Sequence, residues 1–228
     1  MSRARSGATA LAPDFYDRPV LEVARDLVGC VVEYHGAAGV IVETEAYHES
    51  EPACHAFVGL TPRTRTLFGP PGRAYVYRSY GVHALLNAVC EPEGVGAAVL
   101  IRALAPVAGV AQMHARRAGG PRAANTRLRE QDLCSGPGKL TQALGISLGE
   151  NDGDLSDGPV RILPRRGEWA APALVVGTRI GITRAVELPW RFCAAENPHV
   201  SRPRPVAVPG VDGARAALAL SSPGRRRR

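Results

Sequence analysis

Apolar and polar positions alternate along most of the chain in short runs, and these runs predict strands joined by turns. Residues 19–29 differ, because their apolar positions recur at helical spacing between a proline and a glycine, which predicts an amphipathic helix. Two β-prone runs, 30–34 and 40–45, flank the segment HGAAG and predict a hairpin. The next stretch, 48–73, is polar and rich in Pro, Gly and Arg. We interpret it as a long ordered loop, which inside a compact domain is more often functional than not.

The second half of the pattern adds strands, a further hairpin and two helices. The predicted strands are 74–77, 82–90 and 96–104, with a hairpin tip at 78–81, and the predicted helices are 107–118 and 137–144, with a loop at 119–126 between them. Strands outnumber helices and do not alternate with them regularly. This predicts an α+β fold: one domain with a curved, mainly antiparallel sheet flanked by helices. We assign this domain to 13–205, expect 1–12 to be disordered, and expect 206–228 to be a C-terminal segment ending in a basic tail.

The charge of the chain favours a polyanionic partner. The 228 residues carry a net charge of +7, and the pI is about 9.6. Arginine supplies nearly all the positive charge, since Lys139 is the only lysine. The terminal run Arg225–Arg228 is typical of a solvated tail, which can still add non-specific affinity for phosphate.

Composition also excludes several classes of protein. We find no apolar stretch long enough for a membrane span and no secretory signal pattern at the N-terminus. The five cysteines are odd in number and form no CxxC pair, which argues against a disulfide framework or a structural zinc site. We therefore expect a cytoplasmic protein with reduced thiols, no metal and no cofactor.

The segment Val42–Tyr47 places polar residues at the end of an apolar strand. In strand geometry Glu43, Glu45 and Tyr47 share one face, so a carboxylate lies beside an aromatic ring. Such a pair suits a general base beneath a stacked planar substrate. A solvent-facing strand edge without a role is the alternative.

Tyrosines cluster in the second hairpin, where Tyr75, Tyr77 and Tyr80 are followed by Asn87. Stacking on an aromatic ring contributes about 1–3 kcal/mol per base, so the cluster suits a nucleobase pocket, although ordinary sheet tyrosines would give the same pattern. Tyr80 precedes Gly81 at the hairpin tip, where it has little core to pack against and could act as a wedge between bases.

Arginines complete the candidate site. Arg102 lies in the apolar strand AAVLIRALAP, where a buried guanidinium needs a partner such as Glu45 or Glu43. Sequence alone does not separate a structural salt bridge from a catalytic pair. Arg63, Arg65 and Arg73 lie in the loop between the hairpins, where they could contact phosphates or simply be solvated.

Seven ordered stretches between about residues 12 and 202 resemble one known family. They are ARDLVG, IVETEAY, TPRTRTLF, YVYRSYGVHALLN, AAVLIRALAP, LCSGPGKLTQALGI and RIGI. The chain is similar in these stretches to the alkyladenine (3-methyladenine) DNA glycosylase family, including its mammalian form. The segment between Tyr47 and His55 is one residue shorter than in that form.

The resemblance implies a role for each matching residue. Glu45 would be the general base that activates water, and Arg102 would help to hold that water and the carboxylate. The flipped base would lie between Tyr47 and Tyr77, His55 would close the pocket, and Asn87 would obstruct the exocyclic amino group of guanine. Tyr80 would enter the minor groove and fill the vacated space. Arg63, Arg65, Arg73 and Lys139 are our candidates for DNA phosphate contacts.

These roles predict a monofunctional glycosylase of base-excision repair that acts on duplex DNA, as a monomer. Its substrates would be alkylated or deaminated purines: 3-methyladenine, 7-methylguanine, ethenoadenine and hypoxanthine. A lyase step needs an amine nucleophile, and Lys139 is expected to open a helix away from the other candidates. The alternatives are a metal-dependent nuclease built on Glu43, Glu45 and His55, and a DNA-binding module without catalysis.

Overall fold

One antiparallel sheet of eight strands organises the chain in the computed structural model, which describes residues 9–119 and 128–206. The strands are β1 (Val31–Tyr34), β2 (Ala37–His48), β3 (Ala74–Ser79), β4 (His83–Val89), β5 (Ala97–Ala108), β6 (Val160–Leu163), β7 (Leu174–Gly177) and β8 (Arg191–Ala194). Their order is β3-β4-β5-β2-β1-β6, and β8 pairs with both β2 and β7. The predicted α+β fold with a mainly antiparallel sheet is confirmed.

Five short helices flank this sheet within the part of the chain that the structure describes. They are α1 (Pro13–Tyr16), α2 (Val20–Leu27), α3 (Val110–Ala118), α4 (Glu130–Leu133) and α5 (Pro137–Leu144), and 3₁₀ turns occupy His55–Val58, Arg65–Phe68, Leu148–Glu150 and Gly167–Trp169. Among the described residues, none of the helices has the length and apolar character that a membrane crossing requires. All five cysteines are buried and free.

Strand β2 is the centre of the sheet, and its two faces have different neighbours. The face that carries Thr44 and Ala46 packs against the main core, where the Thr44 hydroxyl donates to the carbonyl of Ala24 in α2 at 2.7 Å. Helix α2 presents buried residues at the i, i+3, i+4 and i+7 spacing that predicted it: Val20, Val23, Ala24 and Leu27. The opposite face of β2, which carries Glu43, Glu45 and Tyr47, is therefore the one on which a site can form.

The first hairpin has a tighter turn than predicted. A loop over 35–39 was expected, whereas Tyr34 pairs with Ala37 and only His35 and Gly36 lie between the strands. Both have positive φ angles, 47° and 79°, and two such residues form the turn whose twist matches that of antiparallel strands. Strand β2 therefore begins at Ala37 rather than at residue 40.

Glycine also decides where β5 gives way to α3. The predicted helix 107–118 begins three residues late, because Val107 and Ala108 continue the strand. Gly109 then adopts φ 69°, and a Cβ at this position would lie 2.8 Å from the backbone of Ala37. Helix α5, in contrast, spans 137–144 as predicted.

The hairpin tip and the N-terminal segment also differ from the predicted bounds. Ser79 pairs with His83, so the tip lies at 80–82 rather than at 78–81. The segment expected to be disordered, 1–12, is ordered at its end, where the Leu11 amide donates to the carbonyl of Ile162 at 2.8 Å. Residues 1–8, most of the predicted loop 119–126, and the tail from 207 onward lie outside the described residues.

Candidate active site

One row of residues crosses five strands and defines the free face of the sheet. Tyr75 on β3 is opposite Asn87 on β4, which is opposite Leu100 on β5, and Leu100 is opposite Glu45 on β2. Arg191 on β8 completes the row beside Glu45. Since residues directly opposite one another in a sheet point to the same side, this register brings together candidates from distant parts of the sequence.

Glu45 lies between Leu100 and Arg191 in this row and is fully buried, with 0% of its surface exposed. Its Oε2 accepts hydrogen bonds from the hydroxyl of Tyr47 at 2.8 Å and from Nη1 of Arg102 at 3.0 Å. Its Oε1 accepts from the backbone amide of Ile180 at 2.9 Å. A carboxylate offers about four lone-pair positions, so these three donors leave one position, on Oε1, for a further proton donor such as water.

Arg102 joins Glu45 to a second carboxylate. Its Nε donates to Oε1 of Glu43 at 3.0 Å while its Nη1 holds Glu45, so both partners left open by the sequence are used. The β2–β5 register shifts on either side of the Glu43–Ala103 pair, and the second shift passes over Arg102. Bulges of this kind redirect side chains, which accounts for a guanidinium that reaches two carboxylates on one strand.

Three aromatic side chains form one wall of the cleft above this row. Tyr75 and Tyr77 stack with ring centroids 5.3 Å apart, and His55 packs edge-on against Tyr77 at 4.7 Å. Burial raises the pKa of Tyr77 to about 12, so its phenol remains protonated at neutral pH. Burial, together with the nearby Arg63 guanidinium, lowers the pKa of His55 below its usual value, so its imidazole is neutral.

Tyr47 faces the cleft from β2 and is supported from behind. The guanidinium of Arg179 lies between the rings of Tyr47 and Trp190, 4.7 Å and 5.1 Å from their centroids. Arg179 also donates to the carbonyl of Ala46 at 2.9 Å and to the carboxylate of Glu51 at 2.6 Å. One face of the Tyr47 ring is thus occupied by a cation, and a planar ligand can stack only on the other.

Asn87 is held in one orientation. It is 5% exposed, and its amide nitrogen donates to the carbonyl of Tyr75 at 2.9 Å and to that of Leu85 at 3.4 Å. Both amide protons are therefore used by the backbone of the hairpin, which fixes the side chain at the cleft wall.

The hairpin tip projects beyond the cleft. Tyr80 is 91% exposed and has φ 48°, and Gly81 follows with φ 69°. The predicted wedge residue is thus the most exposed large aromatic side chain among the described residues.

The four predicted phosphate contacts separate into two pairs. A cleft of about 1860 Å³ runs from the aromatic wall to the start of α5, and both Arg63 and Lys139 line it. Lys139 is therefore closer to the other candidates than the sequence suggested. Arg65 and Arg73 are absent from the lining of this cleft as the described residues form it, and Arg73 donates to the carbonyl of Asp152 at 3.2 Å.

Sequence reasoning assigned no role to several residues that support the site. Arg179, Glu51 and Arg191 are buried and charged, and the main chain of Ile180 binds Glu45 directly. The RIGI stretch was the available signal for Arg179 and Ile180. Nothing in the local sequence of Arg191 indicates that it reaches β2.

The comparisons with known proteins identify the class of this site. Residues 14–198 match the model of the methylpurine-DNA glycosylase family. The chain therefore belongs to that family, whose members are hydrolases that act as DNA glycosylases in DNA repair, and the predicted family and enzyme class are confirmed.

Bacterial relatives place the chain more narrowly within the family. A protein of Rhodopseudomonas palustris strain CGA009 is 50% identical over 192 residues, which cover 84% of this chain and 87% of the relative. Proteins of Granulibacter bethesdensis and Rubrobacter xylanophilus are 49% and 51% identical, and they cover 86% and 73% of this chain and 90% and 84% of their own lengths. All three carry the provisional name 3-methyladenine DNA glycosylase.

Proposed function

We propose that this protein removes 3-methyladenine and related damaged purines from duplex DNA by hydrolysing the N-glycosidic bond with a water molecule activated by Glu45. The observation that carries the proposal is the Glu45 carboxylate, which is fixed by three donors beneath an aromatic cleft and keeps one acceptor position unused. A general base must be held within hydrogen-bond reach of the proton that it removes. The products would be the free base and an abasic site.

The shape of the cleft supports an extrahelical base as the substrate. A base within the duplex is shielded, and rotating it out costs a few kcal/mol, less when the base is damaged. The free face of Tyr47 and the ring of Tyr77 would stack on the purine, and Tyr80 would occupy the gap in the duplex. Alkylated purines such as 3-methyladenine are cationic, and they gain additional attraction from electron-rich rings.

The state of His55 bears on which lesions react fastest. A neutral lesion such as hypoxanthine leaves more easily if an acid protonates it, and His55, which lines the cleft, is a candidate. Because burial lowers the pKa of His55, the residue is neutral near pH 7 and is a poor proton donor there. We therefore propose that cationic lesions, which need no such proton, are the preferred substrates, ahead of hypoxanthine and ethenoadenine.

We also propose that the enzyme is monofunctional. Lys139 lines the same cleft and is the only lysine, so it is the one side-chain amine that could form a Schiff base. It lies at the start of α5, where its ammonium group is 3.3 Å from the hydroxyl of Ser135. Borohydride trapping tests this point: no covalent enzyme–DNA adduct is expected, and an adduct that disappears in Lys139→Arg would assign a lyase step to that residue.

Release of free base from defined duplexes tests the main proposal. Duplex oligonucleotides carrying one 3-methyladenine, 7-methylguanine, ethenoadenine or hypoxanthine are incubated with excess enzyme, in EDTA, and the released base is quantified. We expect release that EDTA does not abolish. No release from any of the four would refute the proposal, and strand cleavage that depends on a divalent cation would favour a nuclease built on Glu43, Glu45 and His55.

A further inference from the structure

Glu43 is a buried carboxylate to which the proposed reaction assigns no step. It is 0% exposed and accepts four hydrogen bonds. Its Oε1 accepts from Nε of Arg102 at 3.0 Å, from Nε of Arg191 at 2.8 Å and from the hydroxyl of Ser201 at 2.9 Å. Its Oε2 accepts from the backbone amide of Ser201 at 2.8 Å.

The stability of the fold does not by itself account for a buried carboxylate at this position. Desolvation of a carboxylate costs several kcal/mol, and well-packed apolar replacements of buried ion pairs are often neutral or stabilising. We therefore look for a role of Glu43 among the residues that it contacts. Its connection to the proposed general base passes through Arg102, because Glu43 and Glu45 bind two different nitrogens of the same planar guanidinium.

Two carboxylate contacts fix the orientation of the planar Arg102 guanidinium, whereas a single contact would allow it to rotate. With Nε held by Glu43, the plane of the Arg102 guanidinium is fixed, and its Nη1 atom donates to Oε2 of Glu45 at 3.0 Å. If the Glu43 charge were removed, Arg102 could rotate about its contact with Glu45 and take the carboxylate with it. The Glu45 carboxylate, and with it the acceptor position left on Oε1, would then no longer be held in one orientation.

The C-terminal end of the described domain holds Glu43 in turn. Nη2 of Arg191 donates to the carbonyls of Ser201 and Pro203 at 3.3 Å and 3.0 Å, while Ser201 binds Glu43 through both its amide and its hydroxyl. The family match ends at residue 198, so it includes Arg191, whereas Ser201 and Pro203 lie just beyond it. The segment 201–203 therefore completes the network and does not line the cleft as the described residues form it.

We propose that Glu43, clamped by Arg191 and Ser201, is a positioning residue that fixes the guanidinium of Arg102 and thereby aims the Glu45 carboxylate at the attacking water. The inference rests on the proposed function, because it assigns Glu43 a part in that reaction. It places Glu43 in contact with Arg102 and not with the substrate.

Glu43→Gln is the direct test, because it keeps the shape of the side chain and removes the charge. Under single-turnover conditions with saturating enzyme, well below the melting temperature, the excision rate for 3-methyladenine is expected to fall by about 10- to 100-fold, the range expected from misplacing a reacting group. The Kd for lesion-containing duplex should stay within about twofold, since the pocket walls are unchanged. A purely structural role would lower the melting temperature and leave this rate unchanged.

Two further variants keep the proposal decidable. Glu33→Gln is the matched control, because Glu33 pairs with Arg161 at 3.1 Å between β1 and β6, away from the cleft, and its rate should equal that of wild type. Ser201→Ala removes one donor from Glu43 and should lower the rate by about two- to tenfold. If Glu43→Gln does not fold, an unchanged rate in Ser201→Ala overturns the inference.

The outcomes separate the two proposals. If wild type releases no base, the proposed function fails. If wild type releases base and both Glu43→Gln and Ser201→Ala do so at the wild-type rate, only the positioning role fails. A fall in binding that matches the fall in rate would also count against it, because it would indicate a damaged pocket rather than a misdirected carboxylate.

Discussion

The hairpin tip and the floor beneath the cleft, which is the network of Glu43, Glu45 and Arg102, are both parts of one proposed site, yet the protein holds them in opposite ways. At the floor, Glu43 and Glu45 are fully buried, and between them they accept seven hydrogen bonds. At the tip, Tyr80 is 91% exposed and lies in a backbone conformation with φ 48°. Hydrogen bonds hold the side chains of the floor without any ligand, whereas the tip presents a ring to solvent.

The difference follows from what each region would do. Electrostatic groups act best when their orientation is fixed in advance, because no reorganisation is then needed during the reaction. A wedge residue has a different requirement, since its side chain must project from the protein surface to reach the DNA. The left-handed conformation of a non-glycine residue costs about 1–2 kcal/mol, and at the tip it turns the Tyr80 ring outward instead of back onto the strands. Substitutions at the floor should therefore change the excision rate and the stability of the fold. Substitutions at the tip should change only the interaction with DNA.

The largest effect is expected from Glu45→Gln. It retains the shape of the base but removes its charge, so the single-turnover excision rate should fall by about 100- to 10,000-fold, the usual contribution of a general base. Binding to lesion-containing duplex should persist, because the aromatic wall is untouched. Excision at the wild-type rate would show that another group activates the water. Loss of binding together with excision would instead mean that Glu45 shapes the pocket.

Arg102→Met should show how far the floor depends on paired charge. Removing one partner from a buried ion pair costs about 3–5 kcal/mol, because the remaining charge is left uncompensated. Here two carboxylates, Glu43 and Glu45, would lose a shared partner. Urea denaturation monitored by intrinsic fluorescence measures the change in stability. Arg165→Met is a control, since its guanidinium donates to the backbone carbonyls of Val28 and Arg25.

A stability loss below about 1 kcal/mol in Arg102→Met, similar to that of an exposed pair, would contradict the description of the floor as a tightly coupled network.

The same contrast explains which features sequence alone could predict. Helix α5 and the shared face of Glu43, Glu45 and Tyr47 follow from local periodicity, so they were predictable. The wedge position of Tyr80 follows from a bulky ring beside glycine at a tip. These features depend on residues close together in the chain.

Features that depend on register between distant segments were not predictable. The double contact of Arg102 depends on register shifts between β2 and β5, and the clamp on Glu43 joins residues 158 positions apart. Arg179 packs against the ring of Tyr47, although the two residues are also far apart in the sequence. The boundary errors at the first turn and at α3 have local causes, since Gly36 and Gly109 adopt positive φ angles that shift the ends of the strands.

Tyr80→Ala should separate the tip from the floor. The free energy of unfolding should change by less than about 0.5 kcal/mol, because the ring makes little contact with the protein. The equilibrium constant for base flipping should fall about 5- to 150-fold, since one stacking interaction contributes about 1–3 kcal/mol. Fluorescence of ethenoadenine in a duplex reports the flipped state. An unchanged flipped population would remove the wedge role, and Tyr80→Phe is the control that keeps the ring.

The smallest effect is expected from substitutions of the basic residues Lys139 and Arg73. The salt dependence of DNA binding in these variants shows which of the two side chains binds phosphate. Removing one phosphate-binding cation should reduce the slope of log K against log salt concentration by about 0.9. Lys139→Ala should show this reduction, because Lys139 lines the cleft on which the duplex would lie. Arg73→Ala should leave the slope unchanged, since Arg73 donates to the carbonyl of Asp152 and does not line the cleft as the described residues form it. Fluorescence anisotropy titrations over a range of salt concentrations give both slopes. Equal reductions in the two variants would mean that DNA extends along β3 beyond the cleft, and that the phosphate-binding surface is wider than the floor and the tip together define.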